Sequence, residues 1–543
     1  MTIKVTLFTG EELSVQPGTS LLEITKMIDE PKYPFVAAAV DNELRDLNYK
    51  IYEPVTIKFM DLTTDTGNRI YLRSLSFVFI RAAREVIPNC EVMVEHSLSK
   101  GLYCEINGKH LTSALVRSIE ERMKEIVAAD DPIEKIEVSR EEAIEIFTGY
   151  GQMDKVKMLK FLSSDKKTVY KLGEMYDFFY GYLVPSTGYL KKFALHFQLP
   201  GVIIRYPLAG DPDNIPAFEP QPKLAKIFYE AERWAEIMEV NTIADLNEAI
   251  VNGTVSKLIK VSEALHEKKV ANIADEVKEH RDRGNIILIA GPSSSGKTTF
   301  AHRLMIQLMV NGLKPISISV DDYFVDREKT PLDEYGEYDF ESIEALNLEL
   351  LNEHLTQIIQ GEEVEIPTFN FKLGKGEFLG HKIKIKPDQP IIIEGIHGLN
   401  EKLTYSIPKD HKFKIYISCL TQLNIDNHNR IPTTDIRKLR RLVRDNQFRS
   451  FNALDTLRIW PSVRRGEDRN IYPFQEDADI MFNSSLIYEL AVLKKYAEPL
   501  LLEITKESPV YIEAKRLLRF LSYVLPLDGK EIPTNSIIKE FIG

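Results

Sequence analysis

Apolar and polar positions alternate in strand fashion over residues 3–8 and again over 12–15, with a Thr9-Gly10 turn signal between them, which predicts a hairpin. Pro17-Gly18-Thr19-Ser20 then offers an N-cap for a helix over 21–28. Further strands are expected at 36–40 and 55–59. Residues 74–86 read as a helix that stops before Pro88, and 140–149 as a helix capped by Ser139. From about 216 to 280 the pattern is mostly amphipathic helix, as in 224–238 and 243–250, until Gly284 ends it. At Asn285 the period changes. Apolar runs at 286–290, 315–320, 390–393, 413–418 and 478–482 alternate with helical stretches. Unbroken apolar runs predict strands buried on both faces, hence a parallel sheet flanked by helices. Residues 491–543 read as a helical tail.

The opening hairpin, one helix and further strands suggest a ubiquitin-like β-grasp over 1–61. The whole chain then divides into that module, an α+β region at 62–215, a helical connector at 216–284, an α/β region at 285–490 and the tail. Five pieces suit 543 residues, since domains usually run to about 100–200. At 44% hydrophobic and 28% charged the composition is ordinary, which excludes disorder, a collagen and a disulfide scaffold. Three cysteines, Cys90, Cys104 and Cys419, stand at no metal-ligand spacing and fit a reducing compartment. The N-terminus lacks the pattern of a signal peptide, and no apolar run nears the ~18–20 residues that span a bilayer, so a cytoplasmic protein without a membrane partner is expected. A net charge of −12 argues against general nucleic-acid binding. Oligomerisation stays open.

Gly291-Pro292-Ser293-Ser294-Ser295-Gly296-Lys297-Thr298-Thr299 fits the phosphate-binding pattern G-x-x-x-x-G-K-[ST] in full. Its context is right, because an apolar strand precedes it and a helix with apolar Phe300, Leu304 and Leu308 follows. Glycines let backbone N–H groups curl around a phosphate, and the helix N-terminus adds favourable partial charge. Lys297 can reach the β- and γ-phosphates of ATP, and the Thr298 hydroxyl can ligate Mg²⁺. Two later strands end in acids. The first runs into Asp321-Asp322-Tyr323-Phe324, the second into Glu394-Gly395. Ligands of open α/β sheets gather at such strand ends, so Asp321 is a candidate base and Glu394 a candidate Mg²⁺ ligand, directly or through water. Either could instead be an ordinary cap or loop carboxylate.

Residues 430–470 carry eleven Lys/Arg against five acids, a local +6 within an acidic chain. Guanidinium groups there suit a mobile lid closing over phosphates. A solvated helix face is the plain alternative.

The segment 285–490 resembles the uridine kinase family of P-loop kinases. The matching pieces are GPSSSGKTT at 291–299, VDDYF at 320–324, EYDFES at 337–342, IPTFNF at 366–371, IIEGI at 392–396 and RRLVRDNQFR at 440–449. The resemblance implies ATP-dependent phosphorylation of a nucleoside 5′-hydroxyl with Asp321 as general base. It implies Asp339 on the ribose hydroxyls, Tyr323, Phe369 and Phe371 at the substrate, and Thr298, Glu394 and Asp321 serving Mg²⁺. Arg441, Arg444 and Arg449 become lid arginines. The base pocket departs from the family, which usually has Tyr where this chain has Phe369 and a base-reading His where it has Gly374. Residues 460–467 look like an insertion.

The front of the chain resembles other proteins. Residues 1–61 look like a TGS domain, and about 62–210 like the second N-terminal domain of threonyl-tRNA synthetase, most clearly at 176–188. That domain's H-x-x-x-H and C-x-x-x-H pairs fall on Arg73, Phe77, Phe179 and Leu183, so a scaffold without editing chemistry is expected. His397, just past Glu394, is a candidate for a substrate contact. Besides the nucleoside kinase, two readings stay open. One is a kinase of another hydroxylated metabolite; the other is a nucleotide-gated RNA-binding protein without kinase activity.

Overall fold

The computed structural model describes residues 2–162, 164–280, 284–370, 372–386 and 389–543. The N-terminal sheet has five strands in the order Glu12–Val15, Ile3–Leu7, Val55–Met60, Ala37–Val40, Glu43–Arg45. Ile3–Leu7 and Val55–Met60 pair in parallel, and the other neighbours are antiparallel. Ser20 and Glu23 cap the helix Leu21–Thr25 reciprocally. This helix stops three residues short of the expected end. Val5, Leu21, Ile24 and Ile57 close the small core.

Next comes the helix Asp65–Val86, which starts nine residues earlier than its apolar pattern predicts. Thr64 caps it, and Gly67 sits in its first turn because a Cβ there would lie 1.9 Å from the Asp61 carbonyl oxygen. A polar first turn holding a glycine hides the periodicity. This helix packs with Ser113–Ala129 against a four-stranded antiparallel sheet ordered Ala194–Gln198, Gly201–Arg205, Gly101–Asn107, Glu91–Leu98. A three-stranded sheet (Ile133–Ser139, Lys166–Leu172, Met175–Asp177) lies beyond it.

The connector folds as three helices, Pro222–Met238, Ile243–Val251 and Val255–Glu279. The last packs along the helix Lys297–Val310, and Arg303 there donates to Glu267 at 2.8 Å.

The C-terminal sheet is fully parallel, in the order Ile316–Ser319, Ile391–Glu394, Ile286–Ala290, Lys412–Ser418, Ile480–Asn483. The central strand Ile286–Ala290 is buried at every residue, as its unbroken apolar run demands. The helices Tyr511–Leu521 and Lys539–Ile542 do not form a loose tail. Leu517, Phe520, Ile537 and Phe541 share one core with Phe300 and Leu439. No helix among the described residues is long and apolar enough to cross a membrane.

One hairpin joins the two halves. Asn424–Asp426 and Asn429–Arg430 leave the parallel sheet and meet the synthetase-like region. Lys155 is fully buried there, 3.1 Å from Asp426 and 3.3 Å from Asp177, while His428 lies 2.6 Å from Asp177. Burial alone would lift the Asp177 carboxyl, but His428 and Lys155 overcome it and hold it down at about 2. The same carboxylates outweigh burial at Lys155 and keep its ammonium protonated.

Candidate active site

The strand Ile286–Ala290 runs into the loop 291–296, and the helix Lys297–Val310 follows at once. Gly291 lies so close to the neighbouring strand that a Cβ would sit 2.1 Å from the Ile417 carbonyl oxygen. Gly296 takes φ +88, which lets the chain enter the helix with its N–H groups facing the cradle. The Ser294 and Ser295 hydroxyls are buried and have no hydrogen-bond partner among the described residues.

The loop is not empty of carboxylates. Glu540, on the last helix, accepts from Thr299 N at 3.1 Å and from Thr299 Oγ1 at 2.9 Å. Glu467 accepts from Ser293 N at 3.1 Å. A phosphate would use such donors. Ile537 packs on Gly296, so the C-terminal segment rests directly on the loop. Neither acid lies near the motif in sequence: Glu467 is one of the five acids of the 430–470 window, and Glu540 lies in the expected tail.

At the sheet's carboxyl edge Thr298 Oγ1 donates to Glu394 Oε1 at 3.2 Å. Burial, with the Asp321 charge beside it, pushes the Glu394 carboxyl up to about 7. Burial likewise raises Glu341 to about 7, close to Arg441, Glu467, Lys297 and Asp321. Asp321, Glu394, Glu341, Lys297 and Thr298 therefore share one electrostatic neighbourhood. Thr298 and Glu394 offer oxygen donors of the kind a hard divalent cation takes, although no three Asp, Glu, His or Cys side chains among the described residues are gathered closely enough to hold one by themselves. Asp339 is half-buried on the segment that packs here, and its Oδ1 accepts from Glu341 N at 3.2 Å. His397 is 2% exposed, and burial holds it down at about 4, so it is neutral at physiological pH.

Other expected contacts lie elsewhere. Tyr323 is 1% exposed, and its hydroxyl meets His354 Nδ1 at 3.1 Å, so its side chain is core rather than ligand wall. Phe369 lies near Phe324, with ring centroids 5.6 Å apart. Phe371 lies outside the described residues. Gly374 has φ +69, and a Cβ there would sit 3.0 Å from Arg327 Nε, so the Arg327 side chain fills the space a side chain at 374 would need.

The basic window behaves differently from its sequence count. The helix Thr433–Phe448 is packed into the fold rather than standing as a solvated basic face: Ile436, Arg437, Leu439, Arg440 and Leu442 along it are all buried. Arg437 pairs with Glu467, and Arg440 with Glu489 at 2.6 Å. Lys438 meets Glu513, and Arg465 meets Asp333 at 2.9 Å. Glu467 belongs to the window, but Glu489, Glu513 and Asp333 lie outside it and answer part of its +6, which a count along the chain cannot see. Of the three predicted lid arginines, Arg441 reaches the loop, donating to Ser293 Oγ at 2.8 Å. Arg444 and Arg449 gather around Asp445, at 2.9 and 3.9 Å. The unexplained residues 460–467 lie in the helix Ala453–Asn470, where Gly466 packs against Glu341 and Glu467 reaches the loop.

A parallel sheet, an anion-binding loop on its central strand and acids at the adjoining strand ends define a P-loop kinase. Residues 286–488 match the model of the Phosphoribulokinase / Uridine kinase family. The other half is similar to threonine–tRNA ligases. The chain is 29% identical over 196 residues to the enzyme of Desulforamulus reducens, covering 36% of this chain and 31% of that one. It is 32% identical over 200 residues to the enzyme of Thermotoga neapolitana, covering 36% and 30%. The chain thus spans about a third of the length of these relatives. Among solved structures, one described as a possible uridine kinase from Bacillus stearothermophilus overlaps at 20% identity with a TM-score of 0.24, covering 38% of this chain and 100% of that one. A D-glycerate 3-kinase from Cryptococcus neoformans overlaps at 12% with a TM-score of 0.27, covering 38% and 87%.

Proposed function

We propose that the chain is an ATP- and Mg²⁺-dependent nucleoside kinase that moves the γ-phosphate to a 5′-hydroxyl. The observation that carries this reading is the hydrogen bond from Thr298 of the loop to Glu394 at a strand end, on a carboxylate that also feels the charges of Asp321 and Lys297. Asp321 takes the proton as the acceptor oxygen bonds to the γ-phosphorus and the bond to the β–γ bridging oxygen breaks. Lys297 and Arg441 offset charge on the phosphates. Thr298, Glu394 and Asp321 would hold Mg²⁺, which neutralises the phosphate oxygens when bound. Asp339 is the group for the ribose diol, since a carboxylate accepts two hydrogen bonds. Positioning and electrostatics supply most of the rate.

A second reading has one observation in its favour. Arg327 stands beside Gly374, where related kinases place a neutral base reader. Without a base-reading side chain at 374 the pocket loses hydrogen-bond discrimination for a base, which suits a different hydroxylated metabolite.

The synthetase-like half reads as a scaffold. Phe77, Phe179 and Leu183 are buried in one apolar core, with the two phenylalanine rings 5.2 Å apart, and none of them can ligate a metal.

The test is phosphoryl transfer from ATP to all common nucleosides, beside a panel of phosphorylated and carboxylated polyols. Transfer to one nucleoside class supports the first reading. Transfer confined to acidic polyols moves the assignment to the second, and no transfer to any acceptor overturns both.

A further inference from the structure

A second anion-seeking place lies far from the phosphate loop in sequence. A cavity of about 370 Å³ opens where three segments meet. These are residues 42–45 of the N-terminal sheet, the helix Asp65–Val86 with the loop 180–182, and the helix Tyr511–Leu521. Six cations line it: Arg45, Arg69, Arg73, Lys515, Arg516 and Arg519. The one carboxylate in the lining, Glu43, is taken by Arg45 at 2.5 Å.

The six are not equally answered. Arg516 is held by Asp435 at 2.6 Å and by Glu513, and Arg69 meets Glu513 at 3.2 Å. Arg73, Lys515 and Arg519 have no carboxylate at ion-pair distance among the described residues. Arg73 is the most constrained. Its Nη1 donates to the Tyr182 carbonyl at 2.9 Å, its guanidinium stacks over the Tyr180 ring at 5.0 Å, and Gly181 leaves just the room that the group occupies. A half-buried guanidinium fixed by a carbonyl and a ring, with its charge unmatched, is a poor device for stability and a good one for binding an anion. Tyr180, Tyr182 and Tyr511 add flat rings to the same walls. Guanidinium groups suit phosphate oxygens, and aromatic faces suit a planar base. The volume lies within the range of small-molecule sites, about 300–1,000 Å³.

We propose that this cavity binds a free nucleotide, its phosphate on Arg73, Lys515 and Arg519 and its base against the tyrosines, separately from the phosphate loop. The proposal does not rest on the nucleoside kinase reading, because its test measures binding and not transfer.

The experiment is calorimetric titration of the full chain with the common nucleoside mono-, di- and triphosphates. Inorganic pyrophosphate and unphosphorylated nucleosides serve as controls, and a short single-stranded RNA forms a separate arm. Lys297→Ala weakens the loop site and should leave about one equivalent of at least one nucleotide bound. Adding Lys515→Gln and Arg519→Gln should weaken that binding at least fivefold. Both side chains are exposed, so folding is kept and an unchanged melting temperature confirms it. Arg73→Gln should weaken it further. The site is overturned if no nucleotide binds the Lys297→Ala chain or if the Lys515/Arg519 changes cost less than fivefold. Pyrophosphate binding as tightly as every nucleotide overturns the role of the rings. Binding of the RNA with no free nucleotide bound overturns the small-molecule ligand.

Discussion

The phosphate loop and the cavity at residues 42–45, 69–73 and 511–519 both attract anions, yet the chain treats them in opposite ways. At the loop two of its own carboxylates, Glu540 and Glu467, already accept backbone N–H groups. In the cavity Arg73, Lys515 and Arg519 face solvent-accessible space without a carboxylate. Helix N-termini and curled N–H groups cannot be switched off, and here Ser293 and Thr299 turn theirs to internal carboxylates while the Ser294 and Ser295 hydroxyls have no partner among the described residues. Guanidinium and ammonium groups at a cavity wall keep water as a partner, so no internal acid is required there. The loop must therefore exchange one anion for another, whereas the cavity only has to gain one.

The largest expected effect separates chemistry from binding. Asp321→Asn should cut phosphoryl transfer by roughly 10²–10⁴-fold while ATP and the cavity ligand still bind. Full activity in this variant, measured in single-turnover assays, would remove Asp321 as the base. Next, Lys155→Met strips the seam between the halves of its buried cation and leaves Asp177 and Asp426 facing each other. A loss of about 3–5 kcal/mol in urea unfolding is expected. A change under 1 kcal/mol would mean that the seam carries little of the stability. Glu540→Gln probes the occupied loop directly. Removing its charge from the helix N-terminus should tighten ATP binding roughly fivefold, from about 1 kcal/mol. Weaker binding would show that Glu540 supports the loop rather than competing for it. The last prediction concerns acid. Asp177 titrates at about 2 in the fold against 3.8 unperturbed, so its contribution is complete above pH 3.8 and lost as pH falls through 2. Asp177→Asn should thus be less stable than the parent at pH 5 and lose less stability between pH 4 and 2. Parallel acid-unfolding curves for the two chains would rule this out.

Much of this comparison was legible from one side only. The loop at 291–299, the acidic strand ends at Asp321 and Glu394 and the parallel strands are local patterns, and a sequence carries local patterns openly. The cavity was invisible because its walls come from three distant segments; only the replacement of a metal-type residue by Arg73 hinted at it. The partners of Arg437 and Arg440 were hidden for the same reason, since Glu467 and Glu489 lie 30 and 49 positions away. A charge count over 430–470 read as a lid what is largely a buried helix. Tyr323 was misplaced because a motif position says nothing of which way the side chain turns, and here it turns toward His354. The early start of the helix Asp65–Val86 was missed because Gly67 answers to a close backbone approach and not to periodicity.

The contact between Thr299 and Glu540 spans 241 positions. Translation runs from the N-terminus, so the ribosome releases the loop long before it makes the acid that will sit on it. Until then the Thr299 N–H and hydroxyl meet water and whatever phosphates are in solution. A nucleotide that enters before Glu540 is made has no such carboxylate to displace at Thr299.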